Sequence, residues 1–380
     1  MSSSETPTTI AHIKDHFLPR SETFIYTLLR AVNRYRSIVI DRYARQNETL
    51  FPFDDHFSPV GRFGQWAGWV ERGALRLLGR SPYLEYVLRA EDAHLLHAHF
   101  GQLGALFVPV ARRLALPLIT SFHGMDLSTF ATDPAWKPRF EALWIYGQRF
   151  LVLGPRMAER LRRVGCPAGK IDLLPLPLDL SQFHPPVRRP PRLNRPTYIL
   201  TAGRLIPKKG VDILLYALAP LKEVHRFELW IAGDGPERTH LEGLVSELQL
   251  QGKVKFLGWQ SHTELVEQMG HADLFALASR TDPRTGETEG TPTVLLEAQA
   301  MELPVVSTRH ADIPEIIQDG ETGFLVREGD VEELSLCLDS LLRHEDTWKD
   351  LGQAGRAFVK ARHSMEKIGE RLEQIYDTYI

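Results

Sequence analysis

The chain has 380 residues, 43% hydrophobic and 24% charged, which makes it globular and long enough for two cored domains. Its two cysteines, Cys166 and Cys337, have no paired spacing, so neither a disulfide framework nor a thiolate metal site is indicated, and a reducing cytoplasm fits. The net charge of −3 hides an asymmetry: residues 1–185 carry 22 basic and 17 acidic side chains, the remainder 23 and 31. The basic half is too mild to argue for nucleic acid and points weakly to a phospholipid surface or an anionic lipid-phosphate acceptor.

Met1 to Thr9 is polar, without the apolar core of a signal peptide, and no run approaches the ~18 apolar residues of a membrane span. The expectation is a protein neither secreted by a signal nor transmembrane. Strands are predicted near Ile10–Ile13, Ser37–Asp41, Leu95–His99, Leu118–Phe122, Phe150–Leu153 and Ile171–Leu174, with helical patterns in the gaps. This alternation indicates a parallel sheet covered on both faces. Between them, Trp66, Trp69, Val70, Gly73 and Leu77 share one helical face, with Arg72, Arg76 and Arg80 on another, an interfacial pattern. The more ordinary reading is a domain helix that packs its aromatics inward.

His97 and His99 lie two apart on a strand and share a face, which raises a metal site with His123 as third ligand; no acidic ligand is evident nearby. His123 follows the apolar strand ending at Phe122, with Gly124 beside it, and so sits at a strand's carboxyl end. From residue type alone a structural histidine at a turn is the better reading.

Prolines and charges over Ser181–Pro191 admit neither a helix nor a central strand. A linker is predicted there. A second set of strands follows near Tyr198–Gly203, Glu228–Ala232, Val254–Leu257, Leu274–Ala278, Val305–Ser307 and Gly323–Val326. The first ends in a basic loop, Arg204 to Lys209, ahead of an apolar-periodic helix. Ligands of open α/β sheets bind at the carboxyl ends of strands, which places Arg204 and Lys209 where cations would neutralise a diphosphate. Gly233-Asp234-Gly235-Pro236 follows a strand and could approach a nucleotide, although the G-x-G-x-x-G fingerprint is missing.

Glu289 and Glu297 flank a predicted helix start, with Thr291 as N-cap and Pro292 at the first helical position. The free amides of Thr293, Val294 and Leu295 would then face an anion such as a diphosphate. Glu289 could accept hydrogen bonds from sugar hydroxyls and Glu297 from a ribose. Asp282 to Thr288 would border the sugar.

These motifs run collinearly from Ser21-Glu22-Thr23-Phe24-Ile25 through His97-Ala98-His99-Phe100-Gly101, His123-Gly124-Met125-Asp126 and Gly203-Arg204-Leu205, on to Phe256-Leu257-Gly258-Trp259, the two-glutamate segment and Leu303-Pro304-Val305-Val306. The series resembles the retaining nucleotide-sugar glycosyltransferases of family GT4, above all the exopolysaccharide transferases of the colanic-acid and amylovoran type. The resemblance implies a GT-B fold: an acceptor-side Rossmann-like domain over 1–182, a linker over 183–196, and a nucleotide-sugar domain over 197–363 facing the first across a cleft, with 364–380 crossing back. It implies catalytic roles for His123 and Glu289, diphosphate contacts from Arg204, Lys209, Thr293 and Val294, and nucleotide contacts from Glu297, Gly233 and Gly258. Asp126, Ser21, Glu22 and His99 fall on the acceptor or sugar side. The implied reaction moves a hexose from a UDP- or GDP-linked donor, a co-substrate rather than a cofactor, to a saccharide acceptor, lipid-linked by expectation, without metal. The implied setting is cytoplasmic, with peripheral contact at the inner membrane face. A non-catalytic nucleotide-sugar binder and a GT-B epimerase of UDP-N-acetylglucosamine are the competing readings.

Overall fold

The strands form because runs of branched and aromatic residues are buried on both faces; in β1 (Thr9–Lys14) every residue is buried. The computed structural model describes residues 7–17, 19, 22–43, 47, 51–124, 126–186 and 195–380. Ser21 and most of the expected linker, 187–194, lie outside the described residues. The chain divides into two units, Met1–Pro177 with Met365–Ile380, and Leu178–Ser364.

In the first unit β1 is followed by β2 (Arg36–Asp41), β3 (His56–Phe57), β4 (Ala93–His99), β5 (Leu118–Ser121), β6 (Arg149–Val152) and β7 (Ile171–Leu173). They pair in parallel in the order β3-β2-β1-β4-β5-β6-β7. The order reverses between β1 and β4, the switch point at which doubly wound sheets open a crevice at their carboxyl ends. The two-residue β3 is too short for any periodicity to announce it.

The last helix, Met365–Asp377, belongs to this unit. Its apolar stripe, Ile368, Leu372 and Tyr376, packs with Ile10, Leu28, Leu95, Ile119 and Leu151. Glu373 fixes its angle by accepting the backbone N–H groups of Asn33 at 2.6 Å and Arg34 at 2.8 Å.

The helix Gln65–Leu78 corrects the inward-packing expectation. It buries Ala67, Gly68 and Leu75, while Trp66 and Trp69 remain 63% and 70% exposed. Gly68 allows close approach to Val60 of the short helix Pro59–Phe63, and the bulky aromatics are left on the outer face.

The second unit repeats the pattern with β8 (Thr197–Ala202), β9 (Phe227–Ala232), β10 (Val254–Gly258), β11 (Leu274–Leu277), β12 (Val305–Thr308) and β13 (Phe324–Val326). The order is β10-β9-β8-β11-β12-β13, again parallel, with its switch point between β8 and β11. The two units are therefore both Rossmann-like, and the class is α/β of the GT-B type. No helix among the described residues is long and apolar enough to cross a membrane.

Candidate active site

In the first unit, chemistry gathers at the carboxyl ends of β1, β4 and β5. His12, His97 and His99 are all fully buried, and one ring nitrogen from each lies within 4.8 Å of the other two. This differs from the expected grouping, because β1 and β4 are neighbours in register and His12 pairs with His97. His123 is not among the three. His12 Nδ1 and His99 Nε2 are 3.1 Å apart, whereas His97 spends both nitrogens on Tyr376 at 2.6 Å and Ser121 at 2.8 Å. Burial holds His12 and His99 well below the ordinary imidazole range, and neighbouring histidines add to it; burial alone brings His97 down to about 3.

His123 leaves β5 between Phe24 and Phe100, ring centroids 4.9 and 4.8 Å away, and stacks on His99 at 6.0 Å. Both of its ring nitrogens are buried and lack a hydrogen-bond partner. Burial, then the nearby Lys14, depresses its pKa strongly, so the ring is a neutral imidazole with a donor and an acceptor unspent. Buried polar atoms are rarely left so.

Asp126 explains how His123 is held. Its fully buried carboxylate accepts the backbone N–H groups of Gly101 at 2.8 Å, Gly124 at 2.9 Å and His123 at 3.2 Å. It ties the start of the helix Gly101–Leu114 to the turn that carries the imidazole. Glu22, expected on the acceptor or sugar side, forms an ion pair with Lys14. Lys14 is itself buried beside the Phe100 ring, 4.1 Å from its centroid, and desolvation lowers its pKa against the pull of Glu22. Lys14 and His12 were missed by sequence reasoning, since a lone lysine in a strand carries no spacing signal.

In the second unit the loops after all of β8 to β12 are laced together. Gly233 donates to the Gly258 carbonyl at 2.7 Å, Gly203 to Ala232 at 3.0 Å, and Leu205 to Asp234 at 2.9 Å. Gly233 has φ 146°, and a Cβ there would sit 1.9 Å from the Gly203 oxygen; the glycine is demanded by backbone meeting backbone. Gly210, at φ 63°, similarly abuts the Ala278 carbonyl, locking the basic loop to the end of β11.

That loop presents Lys209 at 3.0 Å from Glu289 Oε2 and Lys208 at 3.9 Å from Glu289 Oε1. Arg204, on the same loop, is exposed and has no carboxylate partner among the described residues. The Glu289 backbone N–H donates to His310 Nε2 at 3.0 Å, and His310 Nδ1 lies 2.8 Å from Glu328. An amide needs an acceptor, so the imidazole proton resides on Nδ1, facing the carboxylate. His310 and Glu328 were missed; a polar residue just past the β12 end was the available signal.

The helix carrying Glu297 begins one residue later than expected. Pro292, with ψ 110°, is itself the cap, and the helix runs Thr293–Ala300. The Leu295 amide is taken by the Pro292 carbonyl at 3.1 Å, which leaves Thr293 and Val294 as the first-turn donors without a carbonyl four residues back in the helix. Glu297 is half-buried, and desolvation pushes its carboxyl up to about 7, opposed by its bond to Thr293. Asp282 folds its own turn, accepting the N–H of Arg284 at 2.8 Å.

Residues 21–182 match the model of Glycosyltransferase Family 4, and residues 187–358 that of Glycosyl transferases group 1. The chain is 31% identical over 291 residues to a putative colanic acid biosynthesis glycosyltransferase, WcaL, of Salmonella typhimurium, covering 75% of this chain and 71% of the relative. It is 30% identical over 321 residues to the amylovoran biosynthesis glycosyltransferase AmsK of Erwinia amylovora, covering 84% and 76%. Its fold matches Anabaena Alr3699/HepE in complex with UDP, with a TM-score of 0.77 at 17% identity over 98% of this chain and 100% of that one. A glycosyltransferase from Rickettsia africae matches with a TM-score of 0.80 at 18% identity, 99% of each chain covered. Two Rossmann-like units with polar carboxyl edges, and relatives aligned across most of their length, lead to one assignment: the chain belongs to glycosyltransferase family 4.

Proposed function

We infer that this glycosyltransferase moves a hexose, with retention, from a UDP- or GDP-linked donor to a lipid-linked saccharide in exopolysaccharide synthesis. The named activities of the colanic-acid and amylovoran relatives support the pathway class. The observation that carries the donor assignment is the Lys209–Glu289 pair beside the first-turn amides of Thr293 and Val294. Cations and unspent amides on one carboxyl edge suit a diphosphate, while a carboxylate suits sugar hydroxyls.

In this reading Arg204, Lys209 and the helix start stabilise the departing nucleoside diphosphate by fixed electrostatics. Glu289 binds the sugar and Glu297 the ribose, with Gly233 and Gly258 near the nucleotide. His123 offers its unspent nitrogens to a sugar hydroxyl, positioned by Asp126, and Glu22 and His99 fall on the same side of the reaction. The acceptor oxygen bonds to the anomeric carbon as the carbon–phosphate-oxygen bond breaks, and the acceptor proton passes to the leaving phosphate oxygen. No protein nucleophile is needed, and no metal is invoked.

Transfer from labelled UDP-, GDP- and TDP-sugars into extracted lipid-linked saccharides tests this. Incorporation that collapses in His123→Ala and Glu289→Ala is expected. Donor binding without turnover, indifferent to His123→Ala, would make the chain a binder, and sugar interconversion without acceptor would make it an epimerase. A glycosyl adduct on Glu289 in mass spectra would replace front-face displacement with double displacement.

A further inference from the structure

Two separate devices hold His123. Asp126 accepts the backbone N–H groups of His123 and Gly124, which fixes the turn and leaves the ring free to rotate, because the outer torsion of an imidazole is broad. Neither ring nitrogen has a hydrogen-bond partner, so among the described residues packing alone sets the ring plane. Phe24 and Phe100 cross that plane at 51° and 65°. His99 lies nearly parallel to it, 17° off with centroids 6.0 Å apart.

His99 is fixed in turn. Its Nε2 lies 3.1 Å from His12 Nδ1, and its ring stacks on His97 at 4.6 Å and 21°. His97 has both nitrogens engaged, Nδ1 by the Tyr376 hydroxyl at 2.6 Å and Nε2 by Ser121 at 2.8 Å. The cluster is thus built as a stack, with no nitrogen of His97 left over to ligate a metal. His97, His99 and Tyr376 are fully buried, which keeps them out of reach of a sugar and, at the density of a protein interior, denies them independent movement. Tyr376 comes from the last helix, Met365–Asp377, whose outer side is held where Asp377 pairs with Arg34 at 2.7 Å. A column of side chains therefore runs from that helix through His97 and His99 to His123.

We propose that Tyr376 and His97 are positioning residues for sugar transfer: acting through His99, they fix the plane in which His123 presents its two nitrogens. The inference rests on the reading of His123 as a contact to the sugar. It makes the C-terminal helix, 279 residues along the chain from His97, part of what orients the site, beyond its packing against the sheet.

Transfer kinetics of the full chain, with the labelled nucleotide sugar that the parent uses, test it. Tyr376→Phe deletes one hydroxyl and keeps the ring, and Ser121→Ala frees the other nitrogen of His97. Each should lower kcat about tenfold, inside the roughly 100-fold that a 1 Å misplacement costs, with the donor KM unchanged because the lost alignment matters in the transition state. Arg34→Ala loosens the same helix from its outer side without touching His97, and should lower the urea midpoint while keeping the parent kcat. In a His123→Ala background, Tyr376→Phe should change the residual rate by less than about twofold, since residues that act through one group are not additive. Should Tyr376→Phe unfold the helix, Ser121→Ala decides. Parent kcat in either folded variant, an equal loss in Arg34→Ala, or a full tenfold effect in the His123→Ala background overturns this inference alone. Parent-like transfer by His123→Ala itself overturns it together with the reading of His123.

Discussion

Lys209 Nζ lies 3.0 Å from Glu289 Oε2, joining two loops eighty residues apart at the ends of β8 and β11. The pair is mostly buried, 15% and 9% exposed at the side chains, so it constrains loop geometry as well as charge. Removing one partner of a fully buried pair costs ~3–5 kcal/mol; partial exposure reduces this to about 2 kcal/mol. Lys209→Met should lower unfolding stability by that order in urea and reduce kcat/KM by at least about 100-fold, as loss of an electrostatic contact in the transition state does. Unchanged kcat/KM would remove Lys209 from the site.

In the proposed reading His310 acts through Glu289, whose amide it accepts, and is a positioning residue. His310→Phe leaves the Glu289 amide buried without an acceptor, at a cost of about 1–3 kcal/mol, and frees the loop. The expected signature is a fall in kcat of tenfold or more, with nucleotide Kd within about threefold, and partial rescue by His310→Gln, whose amide oxygen can accept. Equal losses in kcat and in nucleotide affinity would point to general unfolding of the edge.

The buried histidines predict acid lability. His12, His97, His99 and His123 have folded pKa values below the unfolded value near 6.5, so they take up protons on unfolding. Their contribution is fully present above pH 6.5 and is lost as pH falls toward the folded values, His97 reaching down to about 3. Each supplies a slope of up to ~1.4 kcal/mol per pH unit. Glu297 works in the opposite sense. With its folded pKa raised to about 7, its contribution is greatest below the unfolded carboxylate value and declines as pH rises to 7. Urea titrations from pH 7 to 5 should therefore show net loss of stability, reduced in slope in His12→Asn. A slope unchanged by that substitution would mean that His12 takes up its proton equally in the folded and unfolded chain.

Glu297 also predicts how nucleotide binding follows pH. Its ionised carboxylate accepts hydroxyl donors better than the acid, so affinity should rise as pH passes through about 7, by up to about tenfold between pH 6 and 8. Calorimetry on Glu297→Gln should show weaker binding with a flat profile, and transfer by Glu297→Ala should suffer mainly in KM. A parent profile that is equally flat would separate this carboxyl from the ribose.

The fold was legible where chemistry is local. Continuous apolar runs ending in Gly, Pro or charge located twelve of the strands because both faces of each sheet are covered; β3 escaped because two residues have no period. The helix start before Thr293 was misjudged by one residue. Proline satisfies φ for a first helical position, but its ψ of 110° is set by the loop and invisible locally. The Trp66 helix was misjudged because periodicity reports that a face is apolar, not what covers it. His12, Lys14, His310 and Glu328 were missed since each meets its partners only through strand order. That Glu289 and Lys209 lie on one edge was legible because each follows a recognisable strand or precedes a helix start.

Hydrogen–deuterium exchange on the full chain, with and without a saturating nucleotide sugar chosen by thermal stabilisation, tests the location of the donor most directly. The expected result is protection of the amides of Gly203 to Gly210 and of Glu289 to Glu297, with Thr293 and Val294 among the most affected and the effect diminished in Glu297→Ala. Protection confined to other segments at full occupancy, or no binding of any UDP-, GDP- or TDP-sugar, would contradict the account.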